Sequence, residues 1–214
     1  MRIAPIKTPI IAKKAFPSYL WNVETQDKEL YLTFDDGPTP EITEWTLTTL
    51  RAYSAKATFF CIGANIEKHP EIFNKIIEDG HAIGNHTQHH IKGWKTSTQD
   101  YVSEVLKAET SIDLNSNQIQ DRKLFRPPYG QIKVKQGKAI TQMGYEVVMW
   151  DVLSFDWDQN ISSEQCLNNV VSKSKPGSIV VFHDSVKASK NLMTALPKVL
   201  EEFSGMGYTF KALY

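Results

Sequence analysis

The chain has 214 residues, of which 41% are hydrophobic and 22% charged, and its 24 basic and 24 acidic side chains give a net charge of zero. This length allows one large domain with a full core. The charge balance argues against a surface for nucleic acid or an anionic membrane, and no apolar run approaches the roughly 20 residues of a membrane-spanning helix. Nothing in the sequence indicates a protein partner.

Residues 1–29 predict an irregular lead-in packed on the main body, and residues 30–214 predict the main domain. Two prolines and a lysine interrupt the first nine residues, which makes them a poor signal peptide. We therefore expect a cytoplasmic protein by default, and a cell-envelope or secreted protein if the sequence lacks its targeting segment. Cys61 and Cys166 lie in a strand-like and a helix-like run, and we expect two buried free thiols rather than a disulfide.

Alternating strands and helices account for most of the chain after residue 29. Strands are predicted at 30–35, 57–63, 81–85, 123–126, 145–150, 178–182 and 208–213. Helices are predicted at about 40–51, 70–79, 97–114, 133–143, 163–172 and 192–203, with a polar loop at 115–122. This alternation is typical of a parallel sheet with helices outside, and about seven units favour a closed or nearly closed α/β barrel. The absence of a GxGxxG motif after the first strand weakens a dinucleotide-binding interpretation.

The stretch 31–38 combines an apolar, β-prone run with two adjacent carboxylates, Asp35 and Asp36, before Gly37 and Pro38 force a turn. Two neighbouring carboxylates repel each other, so a cation or an arginine is needed to keep both ionised. The alternative is a strand that ends in an ordinary Asp-Gly turn with solvated side chains.

Polar side chains follow most of the predicted strands, at the point where each strand ends. They are Asp35 and Asp36, His86 to His90, Arg126 to Gly130, Asp151 with Asp156 and Trp157, and His183 with Asp184. Because the carboxyl ends of parallel barrel strands share one rim, where barrel enzymes carry their active sites, we expect these residues to meet there.

The histidines of this group indicate a metal. His86 and His90 are four residues apart, so one helical turn would place both on one face. Together with one carboxylate they would make a three-ligand site that leaves a position open for water. The alternative is a merely polar loop. We expect His89 to be a bystander, and His69 and His81 to be structural, because they have no partner in the sequence.

The residues from about position 30 to the C-terminus resemble the polysaccharide deacetylases, the NodB-homology or carbohydrate esterase family 4 enzymes. Five motifs occur in the expected order. They are TFDDGP at 33–38, HTQHH at 86–90, RPPY at 126–129, DVLSFDW at 151–157 and VVFH at 180–183, the last with Val for the usual Leu.

The resemblance implies a distorted (β/α)7 barrel, similar to a TIM barrel, in which residues 30–214 are the NodB-homology catalytic domain. It implies one divalent cation held by Asp36, His86 and His90. Zn²⁺ is expected first, and Co²⁺, Ni²⁺ or Mn²⁺ are alternatives.

The resemblance also implies the residues of an acid–base reaction. Asp35 would be the general base that deprotonates the water activated by the metal, and His183 the general acid that protonates the leaving amine. Arg126 would orient Asp35, and Asp156 would pair with His183. The expected activity is the removal of N-acetyl groups from a GlcNAc-containing polysaccharide or oligosaccharide, such as peptidoglycan or a chitin-like glycan.

Substrate contacts are the least constrained part of this interpretation. The resemblance implies that the backbone N–H of Tyr129 stabilises the oxyanion and that Trp157 lines the sugar groove. Leu153 replaces an acid found in many relatives, which leaves the substrate open. Trp21 and Trp94 either stack on sugar rings or serve in packing. The alternatives are an O-acetyl xylan esterase, a small-amide hydrolase, and an inactive glycan-binding module.

Overall fold

The computed structural model describes residues 5–116 and 122–214. Residues 1–4 of the expected lead-in and 117–121 of the expected loop therefore lie outside the described residues. No helix within the described ranges combines the length and apolar character needed to cross a membrane.

The strands form one parallel sheet. They are Glu29–Asp35 (β1), Ala57–Cys61 (β2), Ala82–Asn85 (β3), Lys123–Phe125 (β4), Tyr145–Val147 (β5), Val152–Leu153 (β6), Ile179–His183 (β7) and Thr209–Phe210 (β8). Their order is β5-β4-β3-β2-β1-β7-β6, and β8 pairs with the start of β1. The seven strands of the main path curl into a distorted, incompletely closed barrel, which confirms the predicted fold class.

Helices connect the strands as the alternation predicts, and two further helices, at 10–15 within the expected irregular lead-in and at 63–68, were not predicted. The helices are Ile10–Ala15 (α1), Ile42–Ala52 (α2), Gly63–Lys68 (α3), Pro70–Glu78 (α4), Thr98–Asn115 (α5), Val134–Gln142 (α6), Ser163–Val171 (α7) and Ser189–Gly205 (α8). Short 3-10 helices cover Gly93–Lys95 and Pro128–Gly130. The predicted start of α5 is confirmed, because the Ser97 hydroxyl accepts a hydrogen bond from the Asp100 N–H at 3.1 Å.

The middle of the sheet is a stack of buried aromatic rings. Phe34 of β1 lies in register with Phe59 of β2 and Phe182 of β7, at ring-centroid distances of 4.9 and 6.0 Å. Burial of each such side chain contributes about 1.5–3 kcal/mol to folding. This packing fixes the end of β1 and therefore the position of the two carboxylates that follow Phe34. Cys61 and Cys166 are buried free thiols, as predicted.

The residues before β1 lie along the open side of the barrel, between β5 and β6. Leu20 pairs there with the end of β5, because its N–H donates to Val147 O at 2.9 Å. At β6, the Leu153 N–H donates to Ile6 O at 2.9 Å. Directly before β6, Asp151 O accepts from the Thr8 N–H, also at 2.9 Å. The sheet edges that would otherwise be left unpaired are thus satisfied by the N-terminal segment.

The prediction that Asp151 lies on the catalytic rim is wrong. The strand at 145 ends at Val147, and the chain crosses the open side before β6 begins. Asp151 therefore lies at the amino end of β6, where its N–H donates to Ile179 O at 2.9 Å. Its buried carboxylate accepts from Lys7, Lys13 and Ser178 at 2.5–2.7 Å. The residue ties the N-terminal segment to the barrel.

Candidate active site

A tight turn after β1 presents the two adjacent carboxylates to one cleft. Neighbouring strand residues point to opposite faces, but Asp36 has a φ of +85°, in the left-handed region, and this turns its side chain toward the side of Asp35. The turn is held from both sides. Asn65 Nδ2 donates to Asp36 O at 2.8 Å, and the Gly37 N–H donates to Asp184 Oδ1 at 3.1 Å.

Asp36, His86 and His90 form a compact group whose ligand atoms all lie within 4.8 Å of one another. Asp36 Oδ1 is 3.9 Å from His86 Nε2 and 3.3 Å from His90 Nε2. This oxygen is buried and accepts no hydrogen bond from the residues that the structure describes. A buried carboxylate oxygen facing two imidazole nitrogens is the donor set that a divalent cation requires, so the residues fit such an ion.

The two imidazoles are in the correct protonation state for this task. His86 Nδ1 lies 2.7 Å from the carbonyl oxygen of Arg126, which only accepts, so Nδ1 carries the proton and Nε2 is free toward Asp36. Burial lowers the pKa of His86, and burial together with the nearby His86 lowers the pKa of His90 to about 4. Both rings are therefore neutral at pH 7.

The predicted helical turn between the two histidines is wrong. Residues 86–90 form a loop in which Thr87 and His90 have positive φ angles of 65° and 53°. These bends bring the rings of His86 and His90 to a centroid distance of 5.0 Å. His89 points elsewhere, because its Nδ1 lies 2.9 Å from Glu104 Oε2.

Asp35 is buried against a buried arginine. Arg126 Nη1 donates to Asp35 Oδ1 at 2.7 Å and to Thr33 Oγ1 at 2.6 Å, and Nη2 donates to Met149 O at 2.8 Å. The guanidinium also lies 4.1 Å from the ring centroid of Phe60. Burial by itself would raise the pKa of Asp35, but the charge and hydrogen bond of Arg126, together with His86 and His183, outweigh it and hold that pKa below its usual value. Asp35 is thus a carboxylate at neutral pH.

His183 stands beside Asp35, as its register partner across β1 and β7. Its Nδ1 is 2.9 Å from Asp156 Oδ1, and its backbone N–H donates to Asp156 Oδ2 at 2.7 Å. Burial would lower the pKa of His183, but Asp156, with smaller contributions from Asp36 and Asp35, outweighs burial and raises the pKa to about 9. Ser154 Oγ in turn donates to Asp156 Oδ1 at 3.0 Å, and Asn191 Nδ2 donates to the backbone carbonyl oxygen of Asp156 at 3.1 Å.

A cavity of about 750 Å³ opens over these groups. Tyr129, 56% exposed, forms one wall, with its ring 4.5 Å from that of His90. Trp157 forms another, with its ring edge against His183 at 4.7 Å. Leu153 and Val181 also line the cavity, so the side chain at 153 adds an apolar surface to the cavity that Asp35 and His183 line.

Three supporting residues were not predicted in their roles. Asp184 is buried and accepts from the Gly37 N–H and from Thr43 Oγ1, the latter at 2.5 Å, and burial raises its pKa to about 7. Its position directly after His183 was the only signal in the sequence. Asn65 and Asn191 each support the site through one side-chain amide, and an isolated asparagine forms no recognisable motif in the sequence.

Other predicted candidates lie away from the cavity. His81 is buried, and its Nδ1 accepts from the Ala57 N–H at 3.1 Å, while His69 lies beside Glu71 at 3.8 Å. Trp21 donates through Nε1 to Phe16 O at 3.0 Å. Trp94 is 63% exposed and does not line the cavity.

The fold and the site define an enzyme of the parallel-barrel type, with an Asp/His/His group beside a buried carboxylate and a protonated histidine. A family model described as polysaccharide deacetylase matches residues 22–148. The chain is 34% identical over 196 residues to a peptidoglycan-N-acetylglucosamine deacetylase of Bacillus cereus, covering 89% of this chain and 88% of that protein. It is 32% identical over 179 residues to chitin deacetylase 2 of Saccharomyces cerevisiae, and the match covers 80% of this chain and 55% of that protein.

A solved structure of a peptidoglycan N-acetylglucosamine deacetylase, in complex with 4-naphthalen-1-yl-N-oxidanyl-benzamide, has a TM-score of 0.87 to this chain. That protein is 33% identical, over 96% of this chain and 95% of the other. The chain belongs to the polysaccharide deacetylase family. This membership, predicted from five motifs, is confirmed, and so is the assignment to a family of hydrolases.

Proposed function

We propose that this protein is a metal-dependent hydrolase that removes N-acetyl groups from a GlcNAc-containing glycan. One observation carries the proposal: a carboxylate and a protonated imidazole, Asp35 and His183, stand side by side over the Asp36, His86 and His90 group. Cleavage of an amide needs a base for water and an acid for the amine, and both are positioned in one cavity.

Asp36, His86 and His90 would hold one divalent cation, with Zn²⁺ expected first and Co²⁺, Ni²⁺ or Mn²⁺ as alternatives. When bound, such an ion lowers the pKa of water and stabilises negative charge on an acyl oxygen. Support comes from the unpartnered Asp36 Oδ1 and from the neutral state of both imidazoles.

Asp35 takes the proton of the attacking water. Its pKa below the usual range keeps it unprotonated, and Arg126 fixes its orientation through the 2.7 Å hydrogen bond. The hydrogen bond from Arg126 does not block Asp35 as a base. The guanidinium donates to Oδ1, and Oδ2 is left to accept the proton from water.

His183 delivers a proton to the leaving nitrogen through Nε2, since Nδ1 faces Asp156. A pKa of about 9 keeps this imidazole protonated at pH 7, and Asp156 orients the ring. The proposed base, Asp35, and the proposed acid, His183, therefore lie on the neighbouring strands β1 and β7.

Tyr129 and Trp157 complete the site. Tyr129 has a φ of +59°, and within the described ranges no oxygen accepts from its N–H, so this donor is available to an oxyanion. Trp157 offers a ring face for a sugar, beside His183.

Peptidoglycan is the substrate favoured first, because the relative with 34% identity and the solved structure with TM-score 0.87 are both named for it. We further propose that residues 30–214 are the catalytic domain and that residues 1–29 are a lead-in packed on it. The backbone hydrogen bonds of Ile6, Thr8 and Leu20 to the barrel support this division.

The test measures acetate release from peptidoglycan fragments, chitooligosaccharides and acetylated xylan. The protein is first treated with a chelator, and Zn²⁺, Co²⁺, Ni²⁺ or Mn²⁺ is then added back in separate assays. We expect release from GlcNAc-containing glycans and none from Asp35→Asn. Release from xylan alone would replace the amide assignment with an ester one. Glycan binding without acetate release under every metal would favour an inactive binding module.

A further inference from the structure

The loop that carries His86 and His90 is hydrogen-bonded to its surroundings residue by residue. In its first half, the His86 N–H donates to Cys61 O at 3.0 Å and the Thr87 N–H donates to Asn85 Oδ1 at 2.9 Å. The Gly63 N–H, at the start of α3, donates to Thr87 O at 3.0 Å. Strands β2 and β3 together with α3 therefore fix the backbone around His86.

In the second half of the loop, Gln88 O accepts from the Ala64 N–H of α3 at 3.0 Å, and the remaining backbone contacts go to one residue of α5, Glu104. The Gln88 N–H donates to the Glu104 carbonyl oxygen at 3.0 Å. The His89 N–H donates to Glu104 Oε2 at 3.0 Å, and His89 Nδ1 lies 2.9 Å from the same oxygen. The Glu104 side chain is only 12% exposed, so water competes poorly for these contacts. Among the described residues, the His89 N–H makes the last backbone hydrogen bond before His90.

His90 itself has an unfavourable backbone conformation. Its φ of +53° is uncommon for a residue with a side chain. That conformation directs His90 Nε2 to within 3.3 Å of Asp36 Oδ1. A conformation of this kind persists only where its surroundings enforce it. The Gln88–His89 peptide that precedes His90 is held by Glu104 through the His89 N–H and by the Ala64 N–H through Gln88 O.

We propose that Glu104 is a positioning residue for the candidate metal group: together with the α3 backbone it holds the Gln88–His89 peptide, so that the three ligands are preorganised. This inference depends on one part of the proposed function, namely that Asp36, His86 and His90 are the ligands of a divalent cation. Glu104 belongs neither to the candidate ligand group nor to the lining of the cavity, and it acts through the backbone of Gln88 and His89. His89, expected from the sequence to be a bystander, is then part of this anchor.

The test is Zn²⁺ affinity of the full chain, measured by competition with a chromophoric chelator, for wild type, Glu104→Ala, Glu104→Gln and His89→Ala. Glu109→Ala is the matched control, because Glu109 lies on the same helix and pairs with Lys123 instead. We expect Glu104→Ala to weaken Zn²⁺ binding about 10- to 100-fold. Glu104→Gln should lose less, because an amide oxygen still accepts from the His89 N–H, and His89→Ala should lose less because that N–H remains.

Two further measurements separate positioning from general stability. The melting temperature in chelator reports the fold without metal, and the visible absorption of the Co²⁺-loaded protein reports ligand geometry. A Glu104→Ala protein that melts lower but binds Zn²⁺ within twofold of wild type would overturn the proposal, as would an equal loss in Glu109→Ala. If Glu104→Ala does not fold, Glu104→Met decides, because Met has a similar size but no oxygen to accept from the His89 N–H, and unchanged affinity and Co²⁺ spectrum in that variant would refute positioning.

These outcomes are independent of catalysis. A wild-type chain that binds Zn²⁺ but releases no acetate would contradict the proposed function and leave the role of Glu104 standing. A Glu104→Ala variant with wild-type Zn²⁺ affinity would contradict this inference and leave the deacetylase proposal standing.

Discussion

Arg126 Nη1 donates a 2.7 Å hydrogen bond to Asp35 Oδ1, and both side chains are buried beneath the cavity. The pair sets the charge state of the proposed base, because Arg126 lowers a pKa that burial alone would raise. The same guanidinium bonds Thr33 Oγ1 and Met149 O, so it also joins β1 to the residues after β5.

Arg126→Lys should raise the pKa of Asp35, because a single ammonium cannot replace the fork of donors. The acidic limb of kcat/KM should therefore move to higher pH. Loss of partners in a buried pair should also lower the free energy of unfolding by about 3 kcal/mol. The measurements are pH–rate profiles and urea unfolding. Arg51→Lys, in an exposed pair with Asp79, is the control and should change neither. An unmoved acidic limb would contradict the role given to Arg126.

Asp156→Asn should lower the pKa of His183, because Asp156 is the main reason that this pKa reaches about 9. The proposed acid is protonated below its pKa, so the alkaline limb of kcat/KM should move to lower pH and kcat at pH 8 should fall about 10- to 100-fold. Asp113→Asn, an exposed position on α5, is the control. The assignment of His183 as acid fails if the alkaline limb stays in place.

His86→Ala should abolish tight binding of a divalent cation, because Asp36 and His90 would remain as only two ligands. Isothermal titration with Zn²⁺ is the measurement. His69→Ala removes a histidine that faces Glu71 and should bind like wild type. Wild-type affinity in His86→Ala would place the cation elsewhere.

Gly37→Ala should disturb the turn that carries Asp36. A Cβ at this position would lie 2.0 Å from Asp184 Oδ2, so the turn or the carboxylate must shift. We expect a loss of about 1–3 kcal/mol in unfolding free energy and at least tenfold weaker Zn²⁺ binding. Gly205→Ala meets nothing within 4 Å and is the matched control. Unchanged metal affinity in Gly37→Ala would show that the turn tolerates the shift.

His81 should make the metal-free protein less stable in acid. Burial lowers its pKa to about 4 from an unfolded value of 6.5. As the pH falls from 6.5 toward 4, the unfolded chain gains a proton that the folded one does not, so stability is lost across this window. The full effect is about 3 kcal/mol.

Urea unfolding in chelator at pH 7 and pH 4.5 measures this loss. His81→Gln should show a smaller difference between the two pH values than wild type, by roughly 2 kcal/mol. His69→Gln should behave as wild type, because His69 is partly exposed. An equal pH dependence in wild type and His81→Gln would exclude His81 as the source.

The sequence by itself determined the family and most of the alternation of strands and helices, although α1, α3 and β6 were not predicted. Both are local in origin: burial patterns such as that of β1, the Ser97 cap of α5, and motifs whose residues are contiguous. Membership of the polysaccharide deacetylases followed from five short motifs, and the family comparison confirmed it.

Only the tertiary structure decided where separate segments meet. Asp151 has the polar character of the rim residues, yet the crossing of the open side after Val147 places it at the opposite end of the barrel. The spacing of His86 and His90 suits a helical turn, but positive φ angles enforced by α3 and α5 make it a loop. The physical reason is the same in each case: backbone hydrogen bonds between segments distant in sequence outweigh local preference.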